Sequence, residues 1–507
     1  MKTIKQILAA VTAGCLIAIA LPGYNIFPAV LAGIVLLLFA LKDKSLGRSI
    51  LLAAVTGFTS GTIYYTWALS ASRQYSGLVS NQSIIIYLAL SVYHSLWCSL
   101  FGAGYYFIRR YESKSIGRFT ILTGSLWASW EWIYQSALSS VPWIIITPYT
   151  QWNNLYLLQW SSLGGMWIVS FIIAGTGAAF YNAIAKKNVK FALVTTAVVL
   201  LVHITGFAMY LSTQDITGWN TRFSIIQENV DAKARWDNSF VDSLAHILIN
   251  LNRQAISQNP QVIAWSETAI PWTFRTDDDL VNKVLSISYP SGASQLIGML
   301  TPADKSGDVY NSVYYIRPDG AVTGRYDKKE LLAFLEKPLI SSGWELPFSR
   351  SRYKNIIAGT RGNTIETKDG DIGVMICNES LAADAALGAV KGGAEVLYVA
   401  GNDGWFYGTA LAEAHYALTR FRAVETRRDI VMDANRGYAG VIRSSGRAEV
   451  FPPSTEPKVI AVTAHLHDDK TFYARFPEAI PYTLLGITIA AFVIRFFDQP
   501  KNRSKHK

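Results

Sequence analysis

GVMICNES, residues 373–380, is an apolar run that ends in a cysteine, with a glutamate two positions later. A short apolar run bounded by polar residues predicts a buried β-strand. Cys377 is the only cysteine in the polar half of the chain, because Cys15 and Cys98 lie in long apolar segments. No disulfide framework can be built from one such thiol. Its position at a predicted strand end indicates a chemical role.

Predicted strands alternate with predicted helices on both sides of this run. Such alternation predicts a layered α/β domain. Strands joined by tight turns, such as the hairpin turning at Pro318-Asp319-Gly320, indicate mixed rather than purely parallel sheets. The predicted strands are 222–230, 262–267, 295–300, 373–379, 394–402, 429–437 and 438–450, with the hairpin at 309–330, and the predicted helices are 239–258, 277–288, 381–391 and 408–428.

Long apolar runs dominate the rest of the chain. A helix needs about 20 apolar residues to cross the hydrocarbon core of a membrane. We predict eight spans, seven before the α/β insertion and one after it, at 5–22, 25–41, 49–70, 83–108, 118–137, 158–185, 191–211 and 478–497. The predicted division is a transmembrane bundle at 1–212, a soluble catalytic domain at 213–477, a closing helix at 478–497 and a basic tail at 498–507. The start also resembles a signal peptide, but the apolar run continues beyond Cys15, which disfavours cleavage.

Basic residues fall in alternate loops between the predicted spans. The clusters are Lys42, Lys44 and Arg48; Arg109, Arg110, Lys114 and Arg118; Lys186, Lys187 and Lys190; and the C-terminal tail, whereas the other loops contain only Arg73. Lysine and arginine are enriched in cytoplasmic loops. We therefore expect the α/β domain on the outer side, which is the periplasm in a cell with two membranes. The net charge of +10 then reflects topology, since the soluble part has no basic stripe typical of nucleic-acid binding.

Three predicted strands end in reactive side chains, namely Glu267, Lys328 and Cys377. A carboxylate can take the proton of a thiol, and an ammonium can favour the thiolate and stabilise an oxyanion. The backbone N–H of Asn378 is a second candidate oxyanion donor. Such a site suits acyl transfer through a thioester. A Cys–His pairing stays open, because sequence distance says little about spatial distance. No phosphate loop and no metal-type Cys/His spacing is present, so we predict neither cofactor nor metal.

Several segments resemble the nitrilase superfamily, in the order in which that superfamily has them. They are WSETAIP at 265–271, YDKKELLAFLE at 326–336 and GVMICNE at 373–379. GNDGWF at 401–406, followed by His415 and by RFRAVETRR at 420–428, resembles a tract of the apolipoprotein N-acyltransferase branch. EW at 131–132 and VPW at 141–143 are similar to tracts in the membrane half of that branch. The resemblance covers nearly the whole chain.

The resemblance implies an αββα sandwich outside a bundle of about eight spans in the bacterial inner membrane. It implies transfer of an acyl chain from a phospholipid to the α-amine of the diacylglyceryl-cysteine of an apolipoprotein. It also implies roles for individual residues: Glu267 as general base, Lys328 as oxyanion stabiliser, Cys377 as nucleophile, Glu336 and Glu379 as supporting carboxylates, Asn378 beside the nucleophile, Trp405 and Phe406 at the mouth of the site, and Trp143 in the acyl cleft. For Trp143 an interfacial position is an equal alternative, and His415 is expected to be structural.

Four residues depart from the pattern of the family, namely Ser266, Ala333, Leu335 and Asn378. None of them removes a catalytic residue type, but they bear on substrate preference. A membrane-tethered amidase that gives the thioester to water is an alternative with the same triad. A scaffold with a decayed fold is a further alternative, which the intact Glu267, Lys328 and Cys377 disfavour.

Overall fold

A computed structural model describes residues 2–76, 80–137, 145–213, 218–303, 307–332, 336–337 and 356–497. Four features singled out in the sequence lie outside the described residues, namely Trp143, Ala333, Leu335 and the tail at 498–507.

The N-terminal half is a helical bundle. Its helices are α1 (Lys2–Ile19), α2 (Ala29–Leu41), α3 (Leu46–Tyr64), α4 (Trp67–Ser76), α5 (Ser80–Ile108), α6 (Tyr111–Lys114), α7 (Ile116–Ala137), α8 (Leu155–Leu158), α9 (Ser161–Ala185) and α10 (Val189–Leu211). By length and composition, α3, α5, α9 and α10 are able to cross a membrane. Helices also lie at the other predicted spans, but they are shorter or less apolar. The count of eight spans therefore stays a prediction.

Glu131 lies inside α7, and the bundle satisfies its carboxylate. Oε1 accepts a hydrogen bond from Thr147 N at 2.6 Å, and Oε2 accepts one from Thr147 Oγ1 at 3.0 Å and another from Ser170. A buried carboxylate is tolerated only when such partners compensate for lost water. Glu131 thereby holds the 3₁₀ turn Thr147–Gln151 against α7.

The α/β domain consists of two mixed six-stranded sheets. The strands are β1 (Asn220–Gln227), β2 (Val262–Trp265), β3 (Ser294–Pro302), β4 (Val309–Ile316), β5 (Val322–Asp327), β6 (Thr364–Ile365), β7 (Ile372–Ile376), β8 (Val396–Asn402), β9 (Ile430–Asn435), β10 (Ala439–Ile442), β11 (Ala448–Phe451) and β12 (Lys458–His465). The strand orders are β12-β1-β2-β3-β4-β5 and β11-β10-β9-β8-β7-β6. In each sheet a parallel centre has antiparallel neighbours, so the prediction of mixed sheets is confirmed.

The two sheets pack face to face, and helices cover their outer faces. Residues such as Ile225 of β1 and Val374 of β7 belong to one buried cluster between the sheets. The helices that follow β1 in the chain are α11 (Val241–Ile256), α12 (Asp279–Ser288), α13 (Ala383–Lys391), α14 (Ala410–Thr426), α15 (Phe472–Arg475) and α16 (Ala479–Phe497). Of these, α16 packs against α7 of the bundle and not on a sheet. α11 and α12 cover the first sheet, whereas α13 and α14 lie between the second sheet and the bundle. The α/β sandwich expected from the sequence is confirmed.

The basic loops and the α/β domain lie at opposite ends of the bundle. The Glu413 carboxylate of α14 accepts hydrogen bonds from Gly23 N at 2.5 Å and Asn25 Nδ2 at 3.0 Å, in the connection that precedes α2. The connection that follows α2 contains Lys44, whose carbonyl accepts a hydrogen bond from Arg109. The two contacts therefore flank α2 at its two ends.

Candidate active site

Three predicted residues follow three strands and line one cavity of about 60 Å³. Glu267 follows β2, Lys328 follows β5 and Cys377 follows β7. The strands come from both sheets, so the cavity lies where the carboxyl ends of the two sheets meet. Its described lining also includes Trp236, Asn311, Glu336, Trp405 and Phe406. The structure thus brings together Glu267, Lys328, Cys377, Glu336, Trp405 and Phe406 of the residues predicted from sequence.

Lys328 lies between two carboxylates. Its Nζ is 2.9 Å from Glu336 Oε1 and 3.4 Å from Glu267 Oε1, and its side chain is 1% exposed. Burial alone would lower the pKa of Lys328, but Glu336 and Glu267 raise it well above its ordinary value. Lys328 is therefore an ammonium at neutral pH. Glu336 is held in turn by Leu332 N, which donates to its Oε2 at 2.8 Å.

Cys377 begins the 3₁₀ turn Cys377–Leu381 with a backbone φ of +53°. A residue with a side chain rarely adopts this left-handed conformation, and it persists only where its surroundings fix it. Burial and the charge of Glu267 raise the pKa of the Cys377 thiol well above its ordinary value, and the charge of Lys328 only partly opposes them. In the resting site Cys377 is therefore a thiol and needs a base before it can attack.

Glu379 and Asn378 hold the turn after Cys377 in place. Glu379 accepts hydrogen bonds from Tyr326 Oη at 2.7 Å and from Ile376 N at 2.8 Å, so it joins the ends of β5 and β7. The Asn378 side chain donates from Nδ2 to Glu330 O at 2.9 Å. The supporting role of both residues stays a prediction.

A buried ion pair holds the backbone at Glu267. Arg235 pairs with Glu228, and its Nη1 donates to Glu267 O at 2.9 Å and to Thr268 O at 3.2 Å. Thr268 has a φ of +46°, so this loop, like the one at Cys377, adopts a left-handed conformation. Ser266, one of the four departures from the family pattern, donates its hydroxyl proton to Glu228. The departure at Ser266 is therefore part of the support for the Glu267 loop.

Asn311 and Asp403 lie at the site although the sequence did not single them out, and His415, which was expected to be structural, lies beside them. Asn311 donates from Nδ2 to Glu267 Oε1 at 2.7 Å. His415 Nδ1 is 2.9 Å from Asp403 Oδ1, and its Nε2 is 3.0 Å from Ser380 Oγ, immediately behind the nucleophile. A polar residue within the apolar run VYNSVYYI was a signal for Asn311. No local signal connects Asp403 with His415, because the fold alone brings them together.

The arrangement places a protonated thiol, a carboxylate and an ammonium in one buried cavity. This combination suits a nucleophile whose proton passes to the carboxylate while the ammonium stabilises a developing oxyanion. Among the described residues, no group of three or more His, Cys, Asp or Glu side chains is arranged to hold a metal ion.

Two family models match the chain. The model of the apolipoprotein N-acyltransferase N-terminal domain matches residues 13–179, and the carbon-nitrogen hydrolase model matches residues 230–452. An apolipoprotein N-acyltransferase of Geobacter metallireducens is 25% identical over 97% of this chain and 96% of its own length. One of Chlorobaculum tepidum is 26% identical over 76% of this chain and 77% of its own length.

Among solved structures, Saccharomyces cerevisiae Nit3, a member of branch 10 of the nitrilase superfamily, is 14% identical with a TM-score of 0.39 and covers 53% of this chain and 94% of that chain. The matches to family models and relatives, together with the long apolar helices, identify a bacterial membrane protein. The first model falls on the helical bundle and the second on the α/β sandwich, and the chain belongs to the apolipoprotein N-acyltransferase family of the carbon-nitrogen hydrolase superfamily.

Proposed function

We propose that this acyltransferase moves an acyl chain from a membrane phospholipid to Cys377, and then to the α-amine of the diacylglyceryl-cysteine of an apolipoprotein. The observation that carries the proposal is the cavity shared by Glu267, Lys328 and Cys377. The family membership supports the lipoprotein acceptor.

In the first half-reaction, the Cys377 sulfur attacks an ester carbonyl carbon of the phospholipid while Glu267 takes the thiol proton. The raised pKa of Cys377 supports a base-assisted attack, since free thiolate is scarce at neutral pH. The oxyanion forms beside the ammonium of Lys328 and the N–H of Asn378. Collapse breaks the ester C–O bond, and Glu267 returns the proton to the departing alkoxide. A thioester on Cys377 and a lysophospholipid result.

In the second half-reaction, the neutral α-amine of the acceptor attacks the thioester carbonyl carbon. The C–S bond breaks, an amide forms, and a proton from the amine returns through Glu267 to the Cys377 sulfur. Lys328 stays charged throughout, because the Glu336 carboxylate flanks it even while Glu267 holds the transferred proton. The site therefore regains its resting protonation state after one acyl transfer.

The position of the cavity suits lipid substrates. The turn Asp403–Phe406, whose Trp405 and Phe406 line the cavity, contacts α4 of the bundle. Both aromatic side chains belong to the same apolar cluster as the bundle helices. A donor or acceptor held by its acyl chains in the membrane meets the site at this edge. We place the α/β domain in the periplasm and the bundle in the inner membrane, because the basic loops lie at the far end of the bundle.

The acyl-enzyme is tested by intact-mass analysis after incubation with phospholipid vesicles. We expect one added acyl chain that hydroxylamine removes, and none in the Cys377→Ala variant. The Cys15→Ala variant is the matched control, since it removes a thiol of the bundle and should keep the adduct. A protein that never gains the adduct would contradict the proposal.

The acceptor is tested separately with a synthetic diacylglyceryl-cysteine peptide. We expect the peptide to gain the mass of one acyl chain and the enzyme to lose it. Release of free fatty acid, with the peptide unchanged, would instead identify the membrane-tethered hydrolase.

A further inference from the structure

A buried hydrogen-bonded chain runs from Asp403 through His415 and Ser380 to the backbone of the nucleophile. Asp403 Oδ1 lies 2.9 Å from His415 Nδ1, and Nε2 of the same ring lies 3.0 Å from Ser380 Oγ. Ser380 Oγ donates to the carbonyl oxygen of Cys377 at 3.2 Å. Asp403 follows β8, His415 belongs to α14, and Ser380 lies in the turn after β7. Three separate elements thus meet behind Cys377.

The number of protons in this hydrogen-bonded chain decides which group donates and which group accepts in each of its hydrogen bonds. The hydroxyl of Ser380 has a single proton. If Ser380 donates it to Cys377 O, His415 Nε2 must donate to Ser380. Because the Asp403 carboxylate accepts from Nδ1, both ring nitrogens of His415 are then protonated. A neutral His415 would instead accept the Ser380 proton at Nε2, and the carbonyl of Cys377 would lose the hydroxyl donor.

The groups that face His415 favour the charged ring. Burial opposes the charge, but the carboxylates of Asp403 and Glu267 outweigh it and raise the pKa of His415 above its ordinary value. Cys377 faces the ring from the end of β7, and Thr419 Oγ1 of the same helix lies 2.8 Å from His415 O and 2.9 Å from Ser380 Oγ. The charged ring is the state in which every hydrogen bond of the chain is satisfied.

The Cys377 carbonyl and the Asn378 N–H belong to one planar peptide group. A hydrogen bond that fixes the carbonyl therefore also fixes the direction of the N–H. It further polarises the peptide group, which makes the N–H a stronger donor. This matters at Cys377 because its φ of +53° is a conformation that the surrounding contacts have to maintain.

We propose that His415 is a positioning residue, which keeps the Ser380 hydroxyl on the Cys377 carbonyl and so aims the Asn378 N–H at the oxyanion. The proposal rests on the proposed function, because that function uses the Asn378 N–H as an oxyanion donor. His415 itself touches no reacting atom and acts through Ser380.

The test is the single-turnover rate of acyl-adduct formation on Cys377 from phospholipid vesicles. We expect His415→Gln and Ser380→Ala each to lower this rate roughly ten- to a hundred-fold, with KM for phospholipid unchanged. Because both act through one hydrogen bond, the double variant should be no slower than the slower single variant. His246→Gln, at an exposed histidine of α11, is the matched control and should acylate at the parental rate.

A second measurement uses Asp403→Asn, which keeps the shape of the side chain but removes the charge that favours protonated His415. We expect the alkaline decline of the acylation rate to move to lower pH in this variant, since its imidazolium loses the proton sooner. Multiplicative effects of His415→Gln and Ser380→Ala, or an unmoved alkaline decline, would overturn the proposal. A parental protein that forms no adduct would overturn the proposed function instead.

Discussion

A reactive cysteine usually combines nucleophilic attack with a thiolate that is already present at rest, and burial separates these two properties at Cys377. An exposed nucleophilic thiol reacts through a pre-formed thiolate, which a lowered pKa supplies. Here burial and the charge of Glu267 raise the pKa of Cys377, although Lys328 lies in the same cavity. In the proposed mechanism, the carboxylate that suppresses the thiolate at rest is also the group that takes the proton during attack. Such a site would limit unwanted thiol reactions and still keep its base.

The substitution Glu267→Gln tests this separation. Removing the charge of Glu267 lowers the pKa of Cys377, because the charge of Glu267 is one of the causes that raise it. We expect iodoacetamide to alkylate Cys377 roughly tenfold faster than in the parent near neutral pH, while acyl transfer is abolished. The measurement is the mass of the proteolytic peptide that contains Cys377, followed over time at several pH values.

Cys377→Ala provides the blank for this peptide, and Glu449→Gln, at a carboxylate outside the cavity lining, provides the matched charge change. Slower alkylation in Glu267→Gln at every pH would show that Glu267 favours the thiolate and would contradict the assignment.

Strand ends were predictable from the sequence because apolar runs and their polar termini are local features. Glu267, Lys328 and Cys377 each follow such a run, and the structure brings them into one cavity. Asp403 and His415 are twelve positions apart and become partners only when the turn after β8 packs against α14. The strand β12 was also missed, because it follows a proline-rich segment and is only partly buried.

At the scale of elements, α14 joins the membrane bundle to the active site. On one side, Arg420 Nη1 donates to Trp152 O at 3.2 Å, and Glu425 Oε1 accepts from Met166 N at 3.0 Å. On the other side, Arg422 Nη1 donates to Leu381 O at 3.3 Å, at the end of the nucleophile turn. A displacement of the bundle against the domain would therefore reach the turn of Cys377 through one continuous helix.

Glu425 makes the contact between α14 and α9 dependent on pH. It lies where α9 is interrupted at Gly164 and Gly165, and it pairs with Arg422 at 2.9 Å. Burial raises the pKa of Glu425 from 4.5 to about 7, although Arg422 opposes the shift. The folded state therefore binds a proton here that the unfolded state releases. The contribution of this proton to the free energy of unfolding is fully present below about pH 4.5 and is lost as the pH rises through about 7.

We expect Glu425→Gln to remove this dependence. As the pH increases from about 5 to about 8, the melting temperature of the variant in detergent should rise relative to that of the parent. The corresponding difference in the free energy of unfolding is at most about 3 kcal/mol. Tryptophan fluorescence during heating measures the transition. Glu413→Gln removes a half-buried carboxylate from the same helix and is the control. Parallel pH profiles for Glu425→Gln and the parent would contradict the assignment.

The two ends of the whole molecule differ, as the distribution of basic residues in the sequence predicted. The basic loops gather at one end of the bundle, where the Lys186 Nζ donates to Glu112 O at 2.6 Å and Arg109 contacts Lys44. The α/β domain contacts the other end through Gly23 and Asn25. Hydropathy indicated eight spans, of which four helices are long and apolar enough to cross a membrane, but it did not indicate α4, a short helix that contacts the turn Asp403–Phe406. Its role depends on a partner that is remote in sequence.

The position of the basic loops at one end of the bundle predicts which surfaces face the periplasm. Moving lysine or arginine side chains across the membrane is costly, so the end with the basic loops should stay in the cytoplasm. We place single cysteines at two exposed positions, Ser45→Cys in a basic loop and Asn250→Cys on α11, in a parent that lacks Cys15 and Cys98. With a membrane-impermeant maleimide and a permeabilised outer membrane, Asn250→Cys should be labelled. Ser45→Cys should be labelled only after the inner membrane is disrupted.

The buried thiol of Cys377 should stay unlabelled in both cases, and a Cys377→Ala background checks this. Labelling of Ser45→Cys in cells with an intact inner membrane would reverse the proposed orientation. Because an acceptor lipoprotein is anchored by its own acyl chains, that result would also place the cavity on the wrong side of the membrane for any substrate exposed in the periplasm. The orientation and the lipid substrates are therefore tested together at this scale, whereas the acyl-enzyme is tested independently at Cys377.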